Sequence, residues 1–372
     1  MQGFEANATR RRPPMAVGLS VAAILGLCCV LTACSSPASK SASTEQARST
    51  YGQGADHPAG AGSRSASSSE PAVPAWVFPL NSPEPSAPPT PTAAPEALLR
   101  LPNSTQAFTR VALDNRFTAP DWYPRTHAPM PEVVARGRSP DLYACGYCHT
   151  PSGQGRPENA SLAGLPSAYI VRQLMNFQSG ARRALLPGVF PPADLMIHEA
   201  MQTTAAEAES AAEYFSHAKL RSRVVVRESA TVPREYVVGF VYTPIPGGGK
   251  EALGTRLIEL ARDPEQHENR DEQMRYIAYV PPGSIARGRA LVHSDNHGTR
   301  AACVTCHGAN LQGIGEIPSL AGRSPSYLLR QLLAFQTGTR TGAEAQAMQT
   351  VVTGLTLNNM IDAVAYAASL TP

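Results

Sequence analysis

Apolar side chains recur at helical spacing in two segments that lie far apart along the chain. They are Ile170, Val171, Leu174 and Phe177 in the first segment, and Leu328, Leu329, Leu332 and Phe335 in the second. Since residues three and four apart share one face of a helix, each set predicts an amphipathic helix. Ser324 and Pro325 suit the start of the second helix, and Gly180 and Gly338 suit the two C-terminal ends.

The two helices belong to a longer internal repeat in which residue 145 corresponds to residue 303, an offset of 158 residues. Within it, Ser161-Leu162-Ala163-Gly164 matches Ser319-Leu320-Ala321-Gly322. Both copies continue into an alanine-rich helix, for which Thr204 and Thr356 are the predicted N-caps. Self-similarity of this length predicts two copies of one helical domain, which we place at residues 96–220 and 284–372.

Between the two copies, the pattern changes to short runs of β-branched and aromatic residues. The runs lie at 223–227, 236–242, 256–260 and 276–280. The first two runs predict a β-hairpin, and the last two predict two further strands. We therefore expect residues 221–283 to form a small β-rich insert. The predicted fold class is mainly α, with two tandem helical domains joined by this insert.

The N-terminal quarter of the chain has a different composition. Residues 35–95 are dominated by Ser, Ala, Pro and Gly and predict a disordered linker. Residues 1–34 combine three arginines with an apolar run and end in Leu31-Thr32-Ala33-Cys34, which resembles a bacterial lipobox. This interpretation predicts a cleaved signal and a lipid on Cys34, on the periplasmic side of a membrane. The alternative is an uncleaved transmembrane helix.

Two C-x-x-C-H pentapeptides carry the candidate chemistry, and they lie at equivalent positions of the repeat. They are Cys145-Gly146-Tyr147-Cys148-His149 and Cys303-Val304-Thr305-Cys306-His307. This motif is the signature of covalent attachment of haem c, in which the two thiols bind the porphyrin and the histidine binds the iron. Two copies predict two haem c groups. The alternative is one tetrahedral zinc ion held by the two cysteine pairs.

The repeat also predicts the second axial ligand of each iron. Met196 and Met348 both stand eight residues before the predicted N-cap of the final helix. A thioether is a common iron ligand in electron-carrying cytochromes, so we predict these two methionines as the distal ligands. Met201 and His198 remain alternatives in the first copy.

Together these motifs resemble the tandem class I c-type cytochromes, the two-domain dihaem electron carriers of bacteria. The resemblance rests on the C-x-x-C-H pair, the Ser-Leu-Ala-Gly segment, the Tyr…Arg-Gln-Leu helix and the methionine before a final helix. It implies two all-α domains, each wrapping one haem with His/Met ligation, and a periplasmic role in electron transfer. The insert at 221–283 departs from such proteins, which often have a short linker there.

The predicted function is therefore a membrane-anchored periplasmic cytochrome that passes electrons between redox proteins, such as a donor dehydrogenase and an acceptor oxidase or cytochrome. No acid, base or nucleophile stands out, so we expect a carrier and not an enzyme. One alternative is the haem subunit of a membrane-associated dehydrogenase, and another is a dihaem peroxidase. The formal net charge of +3 is too small to argue for a nucleic acid partner.

Overall fold

The computed structural model describes residues 73–80, 94, 96–295 and 301–372. All of these residues belong to one compact unit that spans residues 67–372. Among them, no helix is both long enough and apolar enough to cross a membrane. The predicted lipid site at Cys34 and the apolar run before it lie outside the described residues.

The described residues combine helices with short strands. The α-helices are α1 (Arg110–Asp114), α2 (Glu132–Ala135), α3 (Cys145–His149), α4 (Ser167–Gln178), α5 (Pro191–Gln202), α6 (Ala205–His217), α7 (Pro264–Glu268), α8 (Ser284–His293), α9 (Cys303–His307), α10 (Pro325–Gln336), α11 (Gln346–Val352) and α12 (Leu357–Ser369). The strands are β1 (Leu99–Arg100), β2 (Ala107–Phe108), β3 (Val224–Glu228), β4 (Thr231–Pro233), β5 (Glu235–Val238), β6 (Val241–Pro244), β7 (Lys250–Ala252), β8 (Ile258–Ala261) and β9 (Tyr276–Val280).

The helices of the repeat begin and end where the sequence predicts. Thr204 and Thr356 are the N-caps of α6 and α12, and each forms a reciprocal capping box with the third residue of its helix. Ser324 caps α10 by accepting a hydrogen bond from the backbone N–H of Tyr327. Gly180 and Gly338 follow the ends of α4 and α10 with φ of 74° and 68°, a conformation that glycine adopts without steric cost.

The two copies differ upstream of their C-x-x-C-H helices. In the second copy, Gly288 lies in the middle of α8 and lets this helix approach α12 closely: a Cβ at Gly288 would lie 1.9 Å from the backbone oxygen of Asp362. In the first copy, the matching glycine, Gly137, lies after the end of α2. A Cβ at Gly137 would lie 1.8 Å from the backbone oxygen of Leu142, in its own loop. This glycine therefore contacts the final helix only in the second copy.

The insert contains the predicted strands, but their pairing differs from the prediction. β3 pairs in parallel with β9, while β5 and β6 form a hairpin of their own, and the five-stranded sheet has the order β3-β9-β8-β6-β5. The predicted hairpin between 223–227 and 236–242 is therefore wrong. Parallel pairing joins strands that are distant in sequence, which short-range patterns do not reveal. With this sheet, the mainly α fold class is confirmed only in part.

Residues 73–80 lie within the stretch predicted to be a disordered linker, yet they pack against the core. Val77 and Phe78 are buried, and the Phe78 ring centroid lies 5.1 Å from that of Phe190. Arg330 donates a hydrogen bond to the carbonyl of Val77, and Tyr242 donates one to the carbonyl of Trp76. For these residues the linker prediction is wrong, because a few apolar side chains within a polar stretch can pack against a surface formed by residues distant in sequence.

Glu235 on β5 gives the insert a pH-dependent stability. Burial raises the pKa of Glu235 to about 7, with nearby Glu251 adding to the rise and Arg256 opposing it. Because the folded state then holds this proton to a higher pH than the unfolded chain does, the carboxyl destabilises the fold as pH rises from about 4.5 to about 7.

Replacing Glu235 with glutamine should remove this loss. We compare the free energy of unfolding of Glu235→Gln with that of the unchanged protein. The difference in favour of the variant should be about 1–2 kcal/mol larger at about pH 8 than at about pH 5. Denaturant titrations at the two pH values measure the difference. Glu132→Gln is the matched control, since the Glu132 side chain is 77% exposed. An equal response of both variants would contradict the prediction.

Candidate haem-attachment sites

Each C-x-x-C-H pentapeptide forms one short helix, α3 in the first copy and α9 in the second. The motif cysteines form no disulfide bonds with other cysteines in the described part of the chain. Residues three and four apart lie on the same side of a helix, so both thiols and the histidine of each motif can reach one porphyrin.

Both motif histidines are buried and oriented in the same way. The Nδ1 atom of His149 donates a hydrogen bond to the carbonyl of Ala160 at 2.8 Å, and Nδ1 of His307 donates one to the carbonyl of Pro318 at 2.8 Å. Burial lowers the pKa of both imidazoles and favours the neutral form. Nε2 of each ring is then unprotonated and suited to bind iron. A backbone carbonyl thus orients the motif histidine in both copies.

Two glycines that the sequence analysis did not single out bond to the backbone of the motif histidines. Gly155 donates its backbone N–H to the carbonyl of His149 at 2.9 Å, and Gly313 donates its own to the carbonyl of His307 at 2.8 Å. A Cβ at Gly155 would lie 2.4 Å from the oxygen of Ala160, which is the acceptor of His149. The internal repeat could have identified these two glycines, because they match at the offset of 158 residues.

The methionines predicted as distal ligands are half-buried, whereas their competitors are not placed for this role. In the first copy, Met196 lies on α5, while Met201 is 58% exposed and the His198 side chain is 56% exposed beside Glu199. In the second copy, Met348 lies on α11 and packs against the core, whereas Met360 is part of the core on α12. The burial pattern thus favours Met196 and Met348, and their ligation stays a prediction.

A polar cluster joins the two copies, with Arg340 and Gln173 buried and Arg182 half-buried. Arg182 donates hydrogen bonds to the Tyr327 hydroxyl at 2.9 Å and to Gln331 at 2.8 Å. In the symmetric arrangement, Arg340 donates to the Tyr169 hydroxyl at 2.9 Å and to Gln173 at 2.8 Å.

The arginines of this cluster lack acidic partners. Among the described residues, no carboxylate pairs with Arg182, Arg340 or the neighbouring buried Arg323. Burial lowers the pKa of Arg323 to about 10 and also lowers the pKa of Arg340. Buried cations are costly unless an anion neutralises them, and Arg182 is close enough to His149 to lower the pKa of its imidazole. The cluster therefore fits the anionic propionates that a haem carries, and the residues present suit this group.

The zinc alternative finds no site in the described residues. There, no three histidine, cysteine or acidic side chains lie close enough to hold one metal ion. The two cysteine pairs lie on separate helices, one in each copy. Each helix has its own histidine, which has its own carbonyl partner.

Comparison with known proteins gives matches to cytochromes. Residues 285–371 match the family model of cytochrome c. Cytochrome c-554(548) of Halomonas halodenitrificans is 37% identical over 83 residues, which are 22% of this chain and 96% of that protein. The thiosulfate dehydrogenase electron acceptor of Thiomonas intermedia is 28% identical over 221 residues, which are 58% of this chain and 74% of that protein.

A solved structure, the thiosulfate dehydrogenase TsdBA of Marichromatium purpuratum, is also similar. The sequence identity is 24% and the TM-score is 0.43, and the match covers 64% of this chain and 39% of that chain. The chain thus spans well under half the length of that solved protein.

The similarity to the Thiomonas protein corrects the expectation of a carrier without an enzymatic part. A relative named as the electron acceptor of a dehydrogenase contradicts the exclusion of an enzyme. The sequence argument failed for a chemical reason. The missing acid, base and nucleophile say little about a redox enzyme, because a haem cofactor carries the reactive chemistry itself.

Proposed function

Because the chain belongs to the cytochrome c family, we propose that it carries two covalently bound haem c groups and passes electrons as the haem subunit of a thiosulfate dehydrogenase-type enzyme. One observation carries the proposal: the same helix, buried histidine and carbonyl partner occur twice, at an offset of 158 residues. The name of the Thiomonas relative supports a role as the electron acceptor of this class of enzyme.

The residues have distinct tasks in this proposal. The thiols of the two motifs would hold the haems by thioether bonds, and His149 and His307 would bind the two irons. Met196 and Met348 would supply the second ligand of each iron, and a thioether favours a raised potential. The haem iron itself supplies the one-electron chemistry. The Arg182–Arg340 cluster would neutralise haem propionates at the junction of the two copies.

Electron acceptance is the direct test. The purified haem-loaded chain should be reduced when thiosulfate and a catalytic amount of a purified thiosulfate dehydrogenase are added together, with absorbance showing reduction at both sites. Omitting either component is the control. Reduction by thiosulfate alone would give the chain the dehydrogenase reaction itself. A high-spin ferric haem that turns over peroxide would replace the proposal with the peroxidase alternative.

Attachment to a membrane forms a second part of the proposal. In a bacterial host, the unchanged chain should fractionate with membranes and carry lipid on Cys34, while Cys34→Ala should move most of the protein to the soluble periplasmic fraction. Cys29→Ala is the matched control, because this cysteine stands outside the lipobox pattern. Membrane retention of Cys34→Ala would favour the uncleaved helix.

A further inference from the structure

The insert covers the C-x-x-C-H helix of the first copy. The guanidinium of Arg270 lies 3.6 Å from the ring centroid of Tyr147, the third residue of that motif. Arg270 also donates hydrogen bonds to the Tyr147 hydroxyl at 2.5 Å and to its carbonyl at 3.2 Å. Tyr147 is only 7% exposed as a result. We call residues 262–275 of the insert the cover segment.

Polar contacts join the cover segment to the first copy. The buried carboxylate of Glu272 accepts a hydrogen bond from the backbone N–H of Ser152 at 3.0 Å. Arg156 contacts His267 and forms an ion pair with Glu158 at 2.8 Å. The indole N–H of Trp122 also donates a hydrogen bond to the carbonyl of Asn269, in the cover segment, at 2.8 Å.

The equivalent face of the second copy is open. At the offset of 158 residues, Tyr147 corresponds to Thr305 and Arg156 corresponds to Ile314. Thr305 is exposed. Ile314 is 54% exposed, whereas Arg156 is 6% exposed. One surface of one repeated unit is thus buried in the first copy and accessible in the second.

The open face is almost without charge. Within residues 303–317, Glu316 is the one acidic side chain, and it pairs with Arg172 at 2.5 Å. His307 is the one histidine there, and it is buried. Ile314 and Ile317, the latter 37% exposed, provide apolar area among uncharged side chains such as Asn310 and Gln312. Clustered exposed apolar residues beside a reactive centre mark a contact surface. We call residues 303–317 the open face.

We infer that the open face is the docking surface for a redox partner protein with an uncharged, apolar contact surface, and that electrons are exchanged with this partner at the second haem site. The cover segment closes the same route at the first site. The inference rests on the proposed function. His307 would hold the iron of the second haem, which would take up one electron in each encounter as the partner's centre gives up one.

The test uses the full haem-loaded chain and a defined probe, a reduced blue-copper protein whose copper lies under an uncharged apolar surface. Stopped-flow absorbance gives the second-order rate constant at low and high salt, and hydrogen–deuterium exchange of the mixture locates the contact. We expect protection of the open face and no change in the cover segment. The rate constant should vary less than about twofold with salt, because no charge pairs form across the contact.

Two substitutions in the open face sharpen the test. Ile314→Glu should lower the rate constant about tenfold or more, since docking would bury an unpaired carboxylate. Asn310→Lys is a second variant at an exposed polar residue, where folding is not at risk. Val225→Glu is the matched control, because Val225 is 49% exposed on β3, outside both segments, and its rate should be unchanged.

Several outcomes would overturn the inference. They are an unchanged rate in Ile314→Glu and Asn310→Lys, protection of the cover segment in place of the open face, and self-association of the chain that protects the open face. The last would make a second copy the occupant. If the unchanged chain exchanges electrons with no protein at all, the proposed function also fails. If it exchanges them and the two variants do so equally fast, only the docking surface fails.

Discussion

Replacing Met348 with alanine should remove His/Met ligation from one haem site and leave the other intact. Met348 is the half-buried methionine of α11, eight residues before the Thr356 cap, whereas Met360 is fully buried in the core. Without the thioether, one axial position of one iron loses its ligand. We therefore expect about half of the methionine-to-iron charge-transfer absorbance to disappear and the potential of that site to fall.

The matching experiments separate a ligand from a packing residue. Met196→Ala should remove the other half of the same absorbance, and the double variant should lose all of it. Met175→Ala is the control, since this side chain is 59% exposed and its removal should leave the spectrum unchanged. If Met348→Ala keeps the full band, the ligand assignment is wrong, even if the variant is less stable.

Replacing Gly288 with alanine should destabilise the second copy strongly. The added Cβ would lie 1.9 Å from the backbone oxygen of Asp362 and 2.9 Å from the Cβ of Tyr366. Helix α8 would have to move away from α12, and this would also disturb the Arg287–Asp362 ion pair at 2.8 Å. Overpacking of this kind costs about 3 kcal/mol, and denaturant unfolding of the haem-loaded protein measures the loss.

Gly354→Ala is the matched control for this prediction. No atom lies within 4 Å of a Cβ at Gly354, so the substitution should be neutral or slightly stabilising. The second copy should therefore lose stability with Gly288→Ala and keep it with Gly354→Ala. Equal stability of the two variants would show that α8 and α12 do not pack through Gly288 as described.

The helix signals of the sequence were reliable where their causes are local. The capping boxes at Thr204 and Thr356 and the glycines after α4 and α10 depend on residues within a few positions of one another, and all are formed. The strand runs were also found, but the partner of β3 was not. Its partner β9 lies some fifty residues further along the chain, and tertiary packing selects such a partner.

The sequence by itself determined the chemistry of this protein. A porphyrin-binding thiol pair and its histidine fit within one helical turn, so the motif is readable, and the repeat extends it to candidate distal ligands. Only the tertiary structure decided that the two sites are unequal. Arg270 and Tyr147 stand 123 residues apart, and no local pattern predicts that the insert folds back over the first motif. The tertiary structure also packed Val77 and Phe78 into the core and gathered Arg182 and Arg340, because burial and charge compensation depend on contacts between distant segments.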